Sequence, residues 1–191
     1  WEDAVVDGKR AVVLVEGISD VVALETLAER RERDLDAERI AIVPIGGAHS
    51  IGRYLERFGP GGEGLELAGL CDAGEEREFR RGLERAGFGS ELGRNGMEEL
   101  GFYVCVEDLE DELIRAVGAE TVEQVLDHHG DLGPFRTLQK QPAWRGQPLA
   151  DQLRRFMGSG GSRKIRYARL LVEALELEQM PRPLDGVLAH V

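Results

Sequence analysis

With 191 residues, 42% of them hydrophobic and 31% charged, the chain has the length and composition of one well-cored globular domain with room for a small appended lobe. The formal net charge is −12, from 36 acidic against 24 basic residues; this argues against a protein that coats nucleic acid through lysine and arginine, though not against one that reaches phosphates through metal ions. No apolar run approaches the roughly 20 residues of a bilayer span, and the opening WEDAVVDGKR lacks a basic segment followed by an apolar stretch, so neither a membrane helix nor a signal peptide is expected.

The first apolar run, AVVLV (11–15), is continuous and β-branched and ends at Glu16-Gly17. Such a run suits a strand buried on both faces, as in a parallel sheet. Ser19 is placed as the N-cap of a helix over VVALETLAERRER, whose apolar residues recur at helical spacing. A second strand, IAIVPI (40–45), leads through Gly46-Gly47 into the helical SIGRYLERF. GLELAGLCD (64–72) gives a third strand with EEREFRRGLERAG as the helix behind it, and GFYVCV (101–106) gives a fourth, followed by DLEDELIRAVG. Strands and helices alternating at these spacings predict right-handed βαβ units and an α/β fold with an open parallel sheet of about four strands. PGGEG (60–64) and GFGSELGRNG (87–96) are expected as surface loops.

After residue 118 the pattern becomes helical: VEQVLDHHG, PFRTLQKQ, PLADQLRRFMG and SRKIRYARLLVEALELEQ, punctuated by glycine and proline. The expected organisation is an α/β core over 1–118 and a helical part over 119–191 that packs on the core and completes the site. Cys71 and Cys105 both sit in apolar runs; two such thiols read as core residues of a reduced, cytoplasmic protein.

Ligands of open α/β sheets bind outside the carboxyl ends of the strands. Here the first strand ends at Glu16, the third at Asp72, and the fourth runs into Glu107-Asp108-Leu109-Glu110, with Asp20 one helical turn after Glu16. Clustered carboxylates repel one another, and a hard cation such as Mg²⁺ or Mn²⁺ offsets them. The plainer reading is that acids after strands cap helices or face their dipoles, a role that suits Asp108 and Glu75 or Glu76.

VLVEGISDVVALETL resembles the opening motif of Toprim domains, in particular those of the OLD (overcoming lysogenization defect) nucleases. PIGGAHSIGRYLERF is similar to the segment after the second strand in that family, LAGLCDAGEE stands where its Asp-x-Asp element belongs, EDLEDEL resembles a later acidic motif, and SRKIRYARLLVEAL resembles the segment carrying a lysine near the scissile phosphate. The resemblance covers about residues 10–175. It implies a Toprim (Rossmann-like) fold and a Mg²⁺- or Mn²⁺-dependent endonuclease, with Glu16, Asp20, Asp72 and Glu110 as metal ligands and Glu16, Asp72 and Lys164 as the catalytic set. The ions would supply the attacking hydroxide, and Lys164 would offset charge on the transition state. The implied partner is nucleic acid, DNA first. The second Asp of Asp-x-Asp is replaced by Gly74, with Glu75 or Glu76 as possible substitutes; a module without catalytic activity that binds nucleic acid or regulates is therefore the alternative. OLD proteins carry an ATPase with a GxxxxGK[ST] loop. None occurs here, and the first residue is Trp1 rather than Met, so the ATPase is expected either in a removed segment of a longer protein or in a separate partner.

Other residues carry less. Arg163, Arg166 and Arg169 with Lys164 form a basic helix face that either is solvated or meets phosphate. His128-His129 suit a helix end, His49 a loop near the second strand's end, and Trp1 and Trp144 packing. No Ser-His-Asp arrangement is readable. None of Tyr54, Tyr103 and Tyr167 is placed for a covalent DNA link, which disfavours a topoisomerase. A primase-type phosphotransferase lacks a visible nucleotide site, and a receiver domain expects an acidic pair after the first strand.

Overall fold

Every residue of the first apolar run is buried, and the run forms β1 (Ala11–Val15) at the centre of a four-stranded sheet. The computed structural model describes residues 6–191, so Trp1 lies outside the described residues. β2 (Ile40–Pro44), β3 (Glu66–Cys71) and β4 (Phe102–Val104) complete the sheet in the order β2-β1-β3-β4, all parallel. Alternate residues of each strand face two separate cores. Val13 and Val15 join one with Ile42, Ala68 and Leu70; Val12 and Leu14 join the other with Val43, Leu67 and Cys71. This is why the strands read as unbroken apolar runs rather than alternating ones.

Ten helices of the described residues are used below: α1 (Ile18–Arg30), α2 (Ile51–Phe58), α3 (Glu76–Arg85), α4 (Arg94–Glu99), α5 (Leu109–Val117), α6 (Ala119–His128), α7 (Leu132–Gln139), α8 (Leu149–Met157), α9 (Gly161–Ala174) and α10 (Arg182–His190). α2, α3 and Met97 of α4 cover one face of the sheet. α1 and α5 to α10 cover the other in one continuous core that includes Phe135, Phe156 and Tyr167. α9 packs along α1, and Arg30 ties the two together by donating to the carbonyls of Val172 (2.6 Å) and Leu175 (2.5 Å) near the end of α9. The parallel sheet with a helical C-terminal part is as the sequence predicts.

Three local expectations are corrected. Ser19 does not cap α1: the cap is Gly17, and Ser19 is buried within the first turn. The segment 87–96 is not loop throughout, because α4 begins at Arg94 and carries Met97 into the core. The fourth strand is only Phe102–Val104, because the chain leaves the ladder after Cys105 donates its N–H to the Cys71 carbonyl at 2.9 Å. Cys71 and Cys105 are buried free thiols, as expected.

Candidate functional site

The chain runs from β1 outward to β2, then returns across β1 to β3, so the order in which strands are added changes side between β1 and β3 while all stay parallel. A crevice opens outside the strand ends at such a switch point. The register sets Val15 opposite Leu70, and Glu16, one residue past Val15, meets Asp72, two residues past Leu70. The Asp72 N–H donates to Glu16 Oε1 at 2.9 Å. One turn into α1, Asp20 accepts the Gly17 N–H at 2.8 Å, which orients its carboxyl toward the same crevice edge and buries it.

On the far side, Asp108 caps α5 by accepting the Asp111 N–H at 2.8 Å, the plain role foreseen for it. That cap starts the helix so that Glu110 turns inward, where only 6% of it is exposed. Glu110 Oε2 lies 3.2 Å from Lys164 Nζ, while Oε1 is buried without a hydrogen-bond partner. Lys164 projects from the first turn of α9. Together Glu16, Asp20, Asp72 and Lys164 line a cavity of about 350 Å³ with Gly47 at its edge. Gly47 has φ of +111°, a conformation that side chains rarely adopt, and it lets the chain turn tightly beside the acids.

Burial disfavours ionised carboxyls here, and the acids reinforce one another. Asp72 is pushed up to about 8 by burial and then by Glu16 and Asp20. Asp20 is pushed up to about 6, chiefly by burial against the opposing pull of the Gly17 N–H. Burial also raises Glu16 and Glu110. Burial opposes the charge on Lys164, but Glu110, Asp20 and Asp72 outweigh it and hold the ammonium above its ordinary value. Lys164 is thus the internal countercharge of the acidic rim.

The structure also separates residues that the sequence left equivalent. Glu75 acts on Glu16, raising it, whereas Glu76 is turned away to Arg94 at 2.8 Å. At Gly74 a Cβ would meet nothing within 4 Å. Of the basic face on α9 only Lys164 enters the cavity: Arg163 stacks on the Phe156 ring at 4.1 Å, Arg166 pairs with Asp131, and Arg169 pairs with Glu173 at 2.7 Å. The His49 side chain is 90% exposed and lies 3.8 Å from Glu78, and His128 and His129 are exposed at the end of α6. No tyrosine lines the cavity.

The donor set suits a hard divalent ion in its chemistry: oxygen ligands only, an orphaned buried Glu110 oxygen, and acids whose mutual repulsion a cation would offset. Among the described residues, however, no three His, Cys, Asp or Glu side chains already form a group able to hold a metal ion. The reason is visible in the hydrogen bonds. Glu16 is engaged by the Asp72 N–H, Asp20 by the Gly17 N–H, and Glu110 by Lys164.

Sequence reasoning missed a second cleft of about 620 Å³ that shares Lys164 with the acidic cavity and is lined by Glu110, Trp144, Asp151, Arg154 and Arg155. Arg154 donates to Asp108 at 2.7 Å. Nothing in PLADQLRRFMG distinguishes its arginines from an ordinary solvated helix face. Trp144 was expected to pack, but it is half-buried and belongs to neither core.

Among the described residues no helix is long and apolar enough to cross a membrane. Residues 9–71, from just before β1 to the end of β3, match the sequence model described as "Overcoming lysogenization defect protein-like, TOPRIM domain". The match stops one residue before Asp72. Among curated proteins none matches the sequence. The C-terminal region of the Xanthomonas campestris pv. campestris OLD protein is similar in structure, with a TM-score of 0.70 and 25% identity over 96% of this chain and 92% of that one. The C-terminal region of the Burkholderia pseudomallei OLD protein has the same fold, with a TM-score of 0.70 and 20% identity over 96% of this chain and 97% of that one. Residues 9–71 therefore form an OLD-like Toprim segment, within a chain that folds throughout like the C-terminal regions of OLD proteins.

Proposed function

We propose that the chain is a nuclease that hydrolyses nucleic-acid phosphodiesters, DNA first, with Mg²⁺ or Mn²⁺, and acts in the cytoplasm alongside an ATPase domain or partner. The observation that carries this reading is the convergence of Glu16, Asp20 and Asp72 on one cavity with Lys164 among them, joined to a buried Glu110 that keeps one oxygen unpartnered. In this reading Glu16, Asp20, Asp72 and Glu110 hold the metal, and the helical part after residue 118 completes the site by supplying Lys164. A bound divalent ion supplies Lewis acidity toward the phosphate and acidifies the attacking water. The residues of the chain do the rest. Asp72 and Glu16 fix the cation at the switch point, and the raised proton affinity of Asp72 makes it release a proton as a cation binds. Lys164, already held ammonium-form by three acids, is placed to meet negative charge developing on the phosphate.

Nicking of a supercoiled plasmid in Mn²⁺ tests the proposal, with Glu16→Ala and Lys164→Ala as controls. Metal-dependent nicking by the wild type, lost in both variants, is expected; equal background in all three would refute it. A second reading, a Toprim module that binds nucleic acid without cutting it, is favoured by Gly74 in place of the second Asp and by the absence of a preformed metal cluster among the described residues. It predicts nucleic-acid binding with no nicking in either ion.

A further inference from the structure

The cleft beside the acidic rim has features that core packing does not explain. It is entered between α5, the 140–148 segment and α8, and it adjoins the acidic cavity through Lys164, which lines both. Its wall carries Trp144. An aromatic this large is normally placed where its surface is buried, yet Trp144 is half-buried and outside both cores. Its backbone is nonetheless firmly held. The buried Gln152 of α8 donates to the Trp144 carbonyl at 2.7 Å and itself accepts from Gln139 at 2.6 Å. Trp144 N–H donates to the Gln141 carbonyl at 2.9 Å. A buried polar network thus fixes the segment that presents an indole to an open cleft.

The charges point the same way. In a chain of net charge −12 this wall balances its acids, setting Arg154, Arg155 and Lys164 against Asp108, Glu110 and Asp151. Asp108 is matched by Arg154 at 2.7 Å, and Arg155 is exposed on the next position of the same helix. An aromatic platform beside an exposed arginine, with a second arginine half-buried next to it, is the combination that binds unpaired nucleic acid: bases stack on the ring while cations follow the backbone. The size fits as well. A cleft of about 620 Å³ lies in the range that encloses a ligand of one or two nucleotides and leaves out a duplex.

We infer that this cleft receives an unpaired strand adjoining the scissile phosphate, with one base stacked on Trp144 and the backbone met by Arg154 and Arg155. The inference rests on the nuclease reading for what lies at the rim, and it deepens that reading by naming the substrate class: single-stranded, flapped or frayed nucleic acid rather than intact duplex.

The test measures binding in EDTA, where no metal-dependent cutting occurs. The probes are an oligothymidylate of about 12 nucleotides, within the usual reach of such sites, and the same length of duplex. Trp144→Ala should weaken the single-strand complex roughly 5- to 150-fold, the span of one stacked base, and leave duplex binding unchanged. Trp144→Phe should restore most of the loss. Arg155→Ala should lower the slope of log affinity against log salt by about 0.7, one phosphate on a single strand. Equal oligothymidylate affinity in wild type and Trp144→Ala would overturn the inference, and Mn²⁺-dependent nicking by that variant would show that the nuclease reading survives it. Loss of single-strand binding in Trp144→Ala beside a wild type that cuts neither plasmid nor oligothymidylate in Mn²⁺ would sustain the cleft and refute the nuclease. A wild type that binds neither probe overturns the inference.

Discussion

Replacing Asp72 by Asn separates the two roles of the acidic rim, because it removes a charge while preserving shape. The Asp72 backbone N–H, which holds Glu16 at 2.9 Å, is untouched. In the native chain Asp72 is held up to about 8, against 3.8 for an ordinary aspartate, by burial and by Glu16 and Asp20. Between those values the native state keeps a proton that the unfolded chain releases. Stability attributable to this group is therefore fully present below about pH 4, falls as pH rises, and is lost by about pH 8. At 1.36 kcal/mol per pH unit the full loss would be at most about 5–6 kcal/mol; partial exposure to solvent reduces it to about 2 kcal/mol. For a chain of this length that corresponds to roughly 4–8 °C in Tm. In EDTA at pH 8.5, Asp72→Asn should melt several degrees above the wild type, and at pH 4.5 the two should nearly coincide. With Mn²⁺ at about 100 times its Kd, the wild type should gain about 2.7 kcal/mol and the variant little, so the order reverses. Thermal unfolding at both pH values, with and without the ion, measures this. A variant less stable than wild type in EDTA at pH 8.5, or equally stabilised by Mn²⁺, would refute the assignment of Asp72 as a charge held for a cation.

Other substitutions probe the rest of the site. Gly74→Asp has open space around its Cβ and should fold with stability within about 0.5 kcal/mol of wild type while tightening Mn²⁺ binding about tenfold, one added hard ligand; calorimetry checks both. Glu75→Gln should weaken Mn²⁺ binding in the same assay, whereas Glu76→Gln loses its surface pairs with Arg94 and Arg80 and should change stability by less than about 1 kcal/mol. Lys164→Met leaves Glu110 buried without its cation and should cost about 2 kcal/mol in denaturant unfolding; adding Glu110→Gln should recover stability but not nicking, which separates a structural pair from a catalytic one.

Legibility in the sequence followed the physics of each feature. β1 and β3 were readable because burial on both faces demands unbroken apolar runs, and the acids at their ends followed from the strand-end rule. Their direct hydrogen bond was not readable, because register belongs to the pairing of two strands 56 residues apart rather than to either one. The cap of α1 was misassigned because Ser19 has the right chemistry for a cap, but the turn at Gly17 leaves it one residue inside the helix. Glu75 and Glu76 were equivalent in sequence and are separated chiefly by Arg94, which another helix supplies and which pairs with Glu76 at 2.8 Å. Trp144 was read as packing because an aromatic residue in a short coil carries no signal for which way its ring faces.

The carbonyls of Val172 and Leu175 that accept from Arg30 close a seam between an early helix and a late one, and this seam has a consequence for biosynthesis. Translation delivers Glu16, Asp20 and Asp72 well before Lys164, by roughly ten seconds at about 5–20 residues per second. Until α9 emerges and docks along α1, the acids have neither their lysine nor the helix that closes their cavity. A ribosome-bound chain would carry the acidic rim in an unfinished form, and if the chain is the nuclease proposed, arming of the site would wait for the docking of α9.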